Sequence, residues 1–166
     1  GDEFLESYFT ISELWNKFNT AQCLRFSWQI FGDNGLVKYE DKPVQERFTE
    51  PAPINCVYNS DLPMNITENM HVKALVRKTN KRIFWNNVHC PIIENGVYCD
   101  SSFKQVNPYF WKQINWDNGY IAHYISKSAE EFCNRRLNKE HDATGGYISN
   151  DKCIRYYTNL NVRSPI

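Results

Sequence analysis

The chain has 166 residues, of which 42% are hydrophobic and 15% aromatic, and its 19 basic and 19 acidic side chains leave no formal net charge. This length is enough for one domain with a sizeable buried core. A balanced charge provides no overall field that would attract DNA, RNA or an anionic membrane, so nucleic acid is not an expected partner. We therefore expect a single globular domain over residues 1–166.

The six cysteines are expected to be free thiols. A chain of this length does not depend on disulfides, and no two cysteines have the Cys-x-x-Cys spacing of a zinc site. No apolar run approaches the roughly 20 residues that a membrane-spanning helix needs, and no signal-peptide pattern is present. We expect a cytoplasmic location and leave peripheral attachment to a membrane open.

In the first half of the chain, Thr10 and Glu13 have the spacing of a capping box, which predicts a short helix. The apolar face of that helix consists of Ile11, Leu14, Trp15 and Phe18. Alternation of apolar residues predicts a half-buried strand over 21–31, which ends in the turn 32–35. A helical turn is expected over 44–48, and an irregular connection follows it.

In the second half, the pattern predicts a strand over 71–77, an extended piece over 83–93, and a hairpin that turns at 94–96 into 97–99. The run 121–125 is apolar enough for a buried strand. Ser128 and Glu131 form a second capping box, which predicts a helix over 129–138. We expect a loop at Gly145-Gly146, followed by an extended segment around Tyr156-Tyr157.

The first four residues, Gly1-Asp2-Glu3-Phe4, are similar to the signature of diguanylate cyclases, which bind GTP and metal. The rest of the chain lacks the helix pattern expected downstream of that signature, so this reading is the weaker one.

A set of motifs in a fixed order resembles glycosyltransferases related to families 2 and 92, many of which make bacterial cell-surface polysaccharides. In those enzymes a strand ends in Asp-x-Asp-Glu-Phe-Leu, and Phe-Gly-x-x-Gly, Glu-Arg-Phe and His-Tyr-x-x-Lys-Ser-x-Glu-Glu-Phe follow. The corresponding stretches here are Gly1 to Leu5, Phe31 to Gly35 with Trp28 before them, Glu46 to Phe48, and His123 to Phe132. A basic strand, 73–77, precedes His89 as in the family.

The resemblance implies an α/β fold of the GT-A type, a Rossmann-like sandwich. This chain would be its C-terminal half, with a mixed sheet and capped helices, and the N-terminal nucleotide-binding half would be absent. The implied activity is metal-assisted transfer of a sugar from a nucleotide-sugar donor to a glycan or lipid-linked acceptor, with inversion. The implied cofactor is Mn²⁺ or Mg²⁺, which would neutralise charge on the departing diphosphate.

The resemblance makes Asp2 a metal ligand, as the second acidic residue of Asp-x-Asp; the first would precede Gly1. His123 would complete the metal shell, although a hydrogen-bonded structural histidine fits its position equally well. Lys127 would contact a phosphate oxygen. The other histidines, His71, His89 and His141, lack ligand spacing and are assigned no role.

An inverting transfer needs a base that removes a proton from the acceptor hydroxyl. The candidates are Glu46, held by Arg47 through a charge-assisted hydrogen bond, and Asp33; Glu50 is a weaker choice. The remaining candidates for substrate binding are Trp28 and Phe31, as a platform for the acceptor sugar, and Gly32 and Gly35 in the turn. Core packing is the alternative role for both aromatic residues.

A function of another class remains open. The chain would then be a non-catalytic carbohydrate-binding or assembly module. The sequence that the gene encodes before Gly1, and calorimetric titration with nucleotide sugars and Mn²⁺, distinguish the two hypotheses.

Overall fold

The computed structural model describes residues 1–56, 67–108, 113–137 and 148–161. These residues form a mixed α/β structure, which confirms the expected class at that level. The strands are β1 Glu3–Glu6, β2 Cys23–Ile30, β3 Val72–Val76, β4 Ile83–Phe84, β5 Ile92–Ile93, β6 Tyr98–Asp100, β7 Gln105–Val106 and β8 Tyr120–His123. The helices are α1 Ile11–Lys17, α2 Val44–Arg47, α3 Ala129–Arg136 and α4 Asn150–Leu160, and a 3₁₀ helix covers Glu68–Met70.

The chain divides into two compact units. Unit 1 consists of Gly1–Glu3, Gln29–Glu68 and His123–Ile166, and unit 2 consists of Phe4–Trp28 and Asn69–Ala122. Each unit is therefore built from segments that are distant in the sequence.

Unit 2 contains most of a six-stranded sheet with the order β1-β8-β2-β6-β7, in which β3 also pairs with β2. Strand β2 is antiparallel to β3 and parallel to β6, so the sheet is mixed as expected. Unit 2 also contains an apolar cluster of buried residues, against which the partly buried Ala74, Val76 and Val106 pack. The buried members of that cluster are Cys23, Val72, Cys90, Ile93 and Tyr98.

Strand β2 differs from the prediction because both of its faces are buried. Arg25 and Ser27, on the expected polar face, are only 6% and 5% exposed. Their polar atoms have protein partners: the Arg25 guanidinium donates to the carbonyl of Asn107 at 2.7 Å, and Ser27 Oγ accepts from the amide of Asn115 at 3.3 Å. Burial of polar groups is tolerated where such partners exist.

The predicted extended piece over 83–93 is also different in the structure. It forms two short strands that pair with each other, Ile83 opposite Ile93 and Phe84 opposite Ile92. The turn at 94–96 is present, with Asn95 at a φ of 50°. The strand after it, β6, pairs with β2 and β7 rather than with β5, so the predicted hairpin is wrong.

Both predicted capping boxes are present. Thr10 begins α1 and Ser128 begins α3, and in each box the threonine or serine oxygen accepts from the backbone amide of a glutamate three residues later. In α1, Leu14 and Phe18 are buried as predicted, but Ile11 is 55% exposed. Helix α3 ends at Arg136, and residue 138 lies outside the described residues.

The capping glutamate of α3 has a second role within unit 1. Glu131 accepts from the Arg47 guanidinium at 2.7 and 3.1 Å, and the Arg47 side chain is only 5% exposed. Partial burial acts to raise the pKa of Glu131, but hydrogen bonds from Arg47 and Ser128 outweigh it and lower that pKa to about 2. One carboxylate thus closes the helix cap and neutralises a buried arginine.

The end of unit 1 corrects another prediction. Tyr156 and Tyr157 lie in helix α4, not in an extended segment, and Gly145-Gly146 lies outside the described residues. Cys153, Tyr156 and Leu160 are buried along one face of α4. That spacing is helical, and the predicted extended segment did not take it into account.

All six cysteines are free, as expected. In the described ranges, no helix is both long and apolar enough to cross a membrane.

The two capping boxes allow a controlled stability test. We expect Glu131→Ala to lower the free energy of unfolding by roughly 2–4 kcal/mol, because it removes a helix cap and leaves the buried Arg47 unpaired. Glu13→Ala removes the equivalent cap residue from α1, where no buried arginine depends on it, and is expected to cost clearly less. Urea unfolding measures both. Equal losses would contradict the role assigned to Arg47.

Candidate functional site

Asp2 connects the first segment of unit 1, Gly1–Glu3, with the residues that follow β8. Its carbonyl oxygen accepts from the amide of Tyr124 at 2.8 Å, and its carboxylate accepts from Arg135 Nη1 at 2.9 Å. Arg135 also donates to the carbonyl of Ile125. Residues separated by more than a hundred positions in the sequence are therefore held together by both backbone and side-chain contacts.

His123 ends strand β8 beside this point. Its ring is buried, and its Nδ1 lies 3.9 Å from Glu3 Oε1. We call five residues the Asp2 cluster because each interacts with Asp2 or with His123 through a contact or a nearby charge: Asp2, Glu3, His123, Lys127 and Arg135. The structure thus brings together three residues that the resemblance placed in the site, Asp2, His123 and Lys127.

Charges in the Asp2 cluster favour an ionised carboxylate. Burial acts to raise the pKa of Asp2, but the nearby charges of His123, Arg135 and Lys127 outweigh it, and the pKa is lowered overall. Asp2 is therefore present as a carboxylate at neutral pH, the form in which this side chain can bind a cation.

Lys127 has an unusual backbone conformation. It lies between β8 and the cap of α3, with a φ of 54°. Left-handed backbone costs a lysine roughly 1 kcal/mol relative to glycine. Such strain is often found at functional positions.

The Asp2 cluster offers a carboxylate and an imidazole, which are suitable ligands for Mn²⁺. Within the described ranges, no group of three or more His, Cys, Asp and Glu residues is placed to hold a metal ion. One oxygen of Asp2 is already paired with Arg135. Asp2 and His123 alone are too few to fix a metal ion, so a cation here would have to take further ligands from a bound molecule and water.

The predicted pairing of Glu46 with Arg47 is wrong. The Arg47 guanidinium pairs with Glu131 and donates through Nε to the carbonyl of Lys42 at 3.0 Å. Consecutive residues on a helix point in different directions, so Glu46 and Arg47 do not face each other on α2. Glu46 is exposed. Arg47 therefore stabilises α3 in this structure, with no contact to the carboxylate it was expected to hold.

The turn 32–35 is fastened to helix α4. Asp33 accepts from the Tyr157 hydroxyl and from the amide of Gly35, and its own amide donates to Asn161 Oδ1 at 2.6 Å. Burial raises the pKa of Tyr157, and the bond to Asp33 raises it further. All these contacts hold the loop conformation, so Asp33 has a structural role.

The two glycines of this turn also serve backbone geometry. A side chain at Gly32 would begin 3.1 Å from Asn161 Oδ1, which is tighter than most such contacts, so the Asn161 side chain would have to shift slightly. Gly35 has a φ of 75°, in the left-handed region that glycine adopts without strain. The exposed Glu50 lies in the segment after α2, and its carbonyl accepts from the amide of Gly32.

The aromatic residues proposed as a sugar platform are buried. Phe31, in unit 1, is 9% exposed and stacks on Tyr124 with ring centroids 5.0 Å apart. Trp28, in unit 2, is 6% exposed and stacks on His71 at 4.8 Å. Neither side chain presents an open face, which matches the core-packing alternative.

Around Trp28, unit 2 holds a ring cluster that the sequence did not reveal. His71 and His89 both contact Trp28 and each other, with their ring centroids 5.1 Å apart. Burial lowers the pKa of His89 to about 4, and the nearby charges of His71 and Lys73 contribute. His89 is therefore a neutral ring at neutral pH.

Sequence reasoning missed Glu3 and Arg135 as members of the Asp2 cluster. Arg135 is in the last turn of α3, where basic residues are common because they complement the helix dipole, so its type carried no special signal. Glu3 is adjacent to Asp2 in the quoted motif and could have been included on that ground.

The Asp33–Tyr157 contact can be tested with a double-mutant cycle. We expect Tyr157→Phe to destabilise by about 1 kcal/mol, Asp33→Ala by more because the turn also loses its bond to Gly35, and a coupling energy of about 1 kcal/mol. The same cycle at Tyr39 and Asp41, an exposed hydroxyl–carboxylate pair, is the control and should show coupling near zero. Additive effects at Asp33 and Tyr157 would contradict the structural role.

His89 should make stability depend on pH. The unfolded chain takes up a proton near pH 6.5 and the folded one near pH 4, so the stabilisation is complete above 6.5 and is lost progressively as pH falls towards 4. Between pH 7 and pH 5 we expect a loss of about 1 kcal/mol, because partial exposure reduces the full effect. In His89→Asn, urea unfolding at the two pH values should show a smaller difference; an unchanged difference would exclude His89 as its source.

Comparisons of the chain with protein-family models, curated proteins and solved structures found no match. A functional interpretation therefore depends on the ordered motifs and on the side chains that the fold brings together.

Proposed function

We propose that this chain contributes the metal-binding and acceptor half of a glycosyltransferase, one that moves a sugar from a nucleotide-sugar donor to a glycan or lipid-linked acceptor. The observation that carries the proposal is the Asp2 cluster. Asp2 and His123 come from the first and last of the resembling motifs, and they belong to one group of charged side chains in unit 1. Separate motifs of one enzyme family would be expected to converge in this way.

The basic side chains of the cluster suit a diphosphate. Lys127 and Arg135 can each donate to phosphate oxygens, and Asp2 and His123 would hold Mn²⁺ or Mg²⁺. When bound, the cation would supply Lewis-acid stabilisation for the leaving diphosphate. The N-terminus of α3 is closed by Ser128 and Glu131, so its capped amides are not available to phosphate.

In the transfer, the bond between the anomeric carbon and the donor diphosphate breaks, and a bond to the acceptor oxygen forms. The acceptor hydroxyl gives its proton to a base. Asp33 is engaged by Tyr157 and Gly35, so Glu46, which is exposed on α2, remains the proposed base.

Binding and transfer are best measured on protein expressed from the complete gene, including any sequence encoded before Gly1. Free Mn²⁺ is followed by electron paramagnetic resonance while UDP-glucose or GDP-mannose is added, and sugar transfer is followed as nucleoside diphosphate release. We expect Asp2→Asn and His123→Gln each to weaken nucleotide-dependent Mn²⁺ binding by roughly tenfold or more. Mn²⁺ binding that neither variant changes would refute the proposal, and conversion of GTP to a cyclic dinucleotide would favour the cyclase reading.

Lys127→Gly separates function from folding. Glycine adopts the left-handed backbone at this position without strain. We therefore expect the free energy of unfolding to be unchanged or raised by about 1 kcal/mol. Loss of the ammonium group should nevertheless weaken nucleotide-sugar binding by roughly tenfold, corresponding to one charge-assisted hydrogen bond. The control is Lys152→Gln, which changes an exposed lysine on α4 and should leave nucleotide-sugar binding unchanged. Undiminished binding in Lys127→Gly would contradict the phosphate role.

A further inference from the structure

The zero net charge of the chain hides an uneven distribution. Between Glu68 and Glu94, the segment from Asn69 to Ile93 has no acidic residue and carries five basic ones: Lys73, Arg77, Lys78, Lys81 and Arg82. A local cluster of this kind creates its own positive potential, which the balance of the whole chain does not cancel at distances near the surface.

The β4–β5 hairpin within this segment exposes large apolar side chains. Its outer part, which we call the hairpin tip, has Phe84 53%, Trp85 61% and Val88 73% exposed, and Ile83 at the start of β4 is 37% exposed. These four residues lie within six consecutive positions. Single exposed apolar residues are common, but four within one short hairpin are typical of a binding surface.

The hairpin tip is held in this conformation. Strands β4 and β5 pair with each other, and Ile93 and Cys90 are buried in the core of unit 2. Asn87 Oδ1 accepts from the amides of His89 at 2.8 Å and Cys90 at 3.1 Å, which fixes the loop after Trp85. These contacts anchor the backbone of the loop, so its apolar side chains stay exposed.

Basic residues precede β4 in the sequence, and Arg82 at its start accepts through its carbonyl from the amide of Glu94. Arg82 directly precedes β4, and Lys78 is four residues earlier; both are exposed. Lys81 is tied to the hairpin by donating to the carbonyl of Asn95. Three residues of extended chain from Arg82 to Trp85 span about 10 Å, which is the depth to which an apolar face enters the headgroup region of a bilayer, about 5–10 Å.

We propose that the β4–β5 hairpin docks on the surface of a bilayer that contains anionic lipids, with the hairpin tip among the headgroups and upper acyl chains and with Lys78 and Arg82 at the phosphates. The arrangement has charge complementarity with such a surface. Tryptophan is favoured at membrane interfaces, and lysine and arginine next to inserted apolar residues bind anionic headgroups. A soluble glycan would account for Trp85, but not for the aliphatic Ile83 and Val88 or for the basic residues that precede β4. The proposal is independent of sugar transfer.

The test is sedimentation of the protein with vesicles of phosphatidylcholine mixed with phosphatidylglycerol, compared with vesicles of phosphatidylcholine alone. We expect binding to the mixed vesicles. The double variant Lys78→Gln/Arg82→Gln should weaken it by roughly 25-fold, or about fivefold for each charge. Trp85→Ser/Val88→Ser should weaken binding to both kinds of vesicle by at least tenfold, since each buried methyl or methylene group contributes roughly fourfold.

Matched controls come from exposed residues elsewhere in the chain. Tyr8, 90% exposed, and Val37, 64% exposed, serve for the apolar residues, so Tyr8→Ser/Val37→Ser should leave vesicle binding unchanged. Lys152→Gln serves for the charges. Because every substituted side chain is exposed, circular dichroism and urea unfolding should be the same for all variants.

Three results would overturn the proposal. One is the absence of binding to mixed vesicles, and another is equal weakening by the control variants. The third is a different occupant of the hairpin tip, either an oligosaccharide or a second copy of the chain, which light scattering would detect as a dimer. In that case Trp85→Ser/Val88→Ser would abolish the binding of that occupant and leave vesicle binding unaffected. Nucleotide and Mn²⁺ binding should be the same in the hairpin variants as in the unchanged protein, so failure of the two proposals is distinguishable.

Discussion

The pairing of Arg47 with Glu131 is the interaction on which much of unit 1 depends. A buried guanidinium is tolerated only when its charge and its donors are satisfied, and Glu131 provides two of those acceptors. The same carboxylate accepts from the backbone and hydroxyl of Ser128. Formation of the helix cap and burial of the arginine therefore stabilise each other, and the start of α3 has one favoured position relative to α2.

Helix α3, once placed, determines the Asp2 cluster. Its cap follows Lys127 directly, and its last turn carries Arg135, which contacts both the Asp2 carboxylate and the carbonyl of Ile125. Without that helix the Asp2 carboxylate would lack its arginine. The low pKa of Asp2 is thus a consequence of tertiary contacts, because His123, Arg135 and Lys127 are all distant from it in sequence.

Local signals in the sequence predicted local structure well. The two capping boxes, the helical turn at α2 and the turn 32–35 depend on residues three or four positions apart, and all are present. Features that depend on distant partners were predicted less well. Strand β2 is buried on both faces because Arg25 finds the carbonyl of Asn107, and β6 pairs with β2 instead of its sequence neighbour β5. Helix α4 was missed although its buried residues, Cys153, Tyr156 and Leu160, have helical spacing.

By itself the sequence determined where α1 and α3 begin, which residues form the turn 32–35, and which motifs resemble one enzyme family, since each depends on residue type and short spacing. Only the tertiary structure decided which charged groups meet. It paired Arg47 with Glu131 and not with the adjacent Glu46, because neighbouring helical residues diverge. It paired Asp33 with Tyr157, buried Trp28 and Phe31, and brought Asp2 near His123. Hydrogen bonding and burial depend on distances in space, which cannot be read from spacing along the chain.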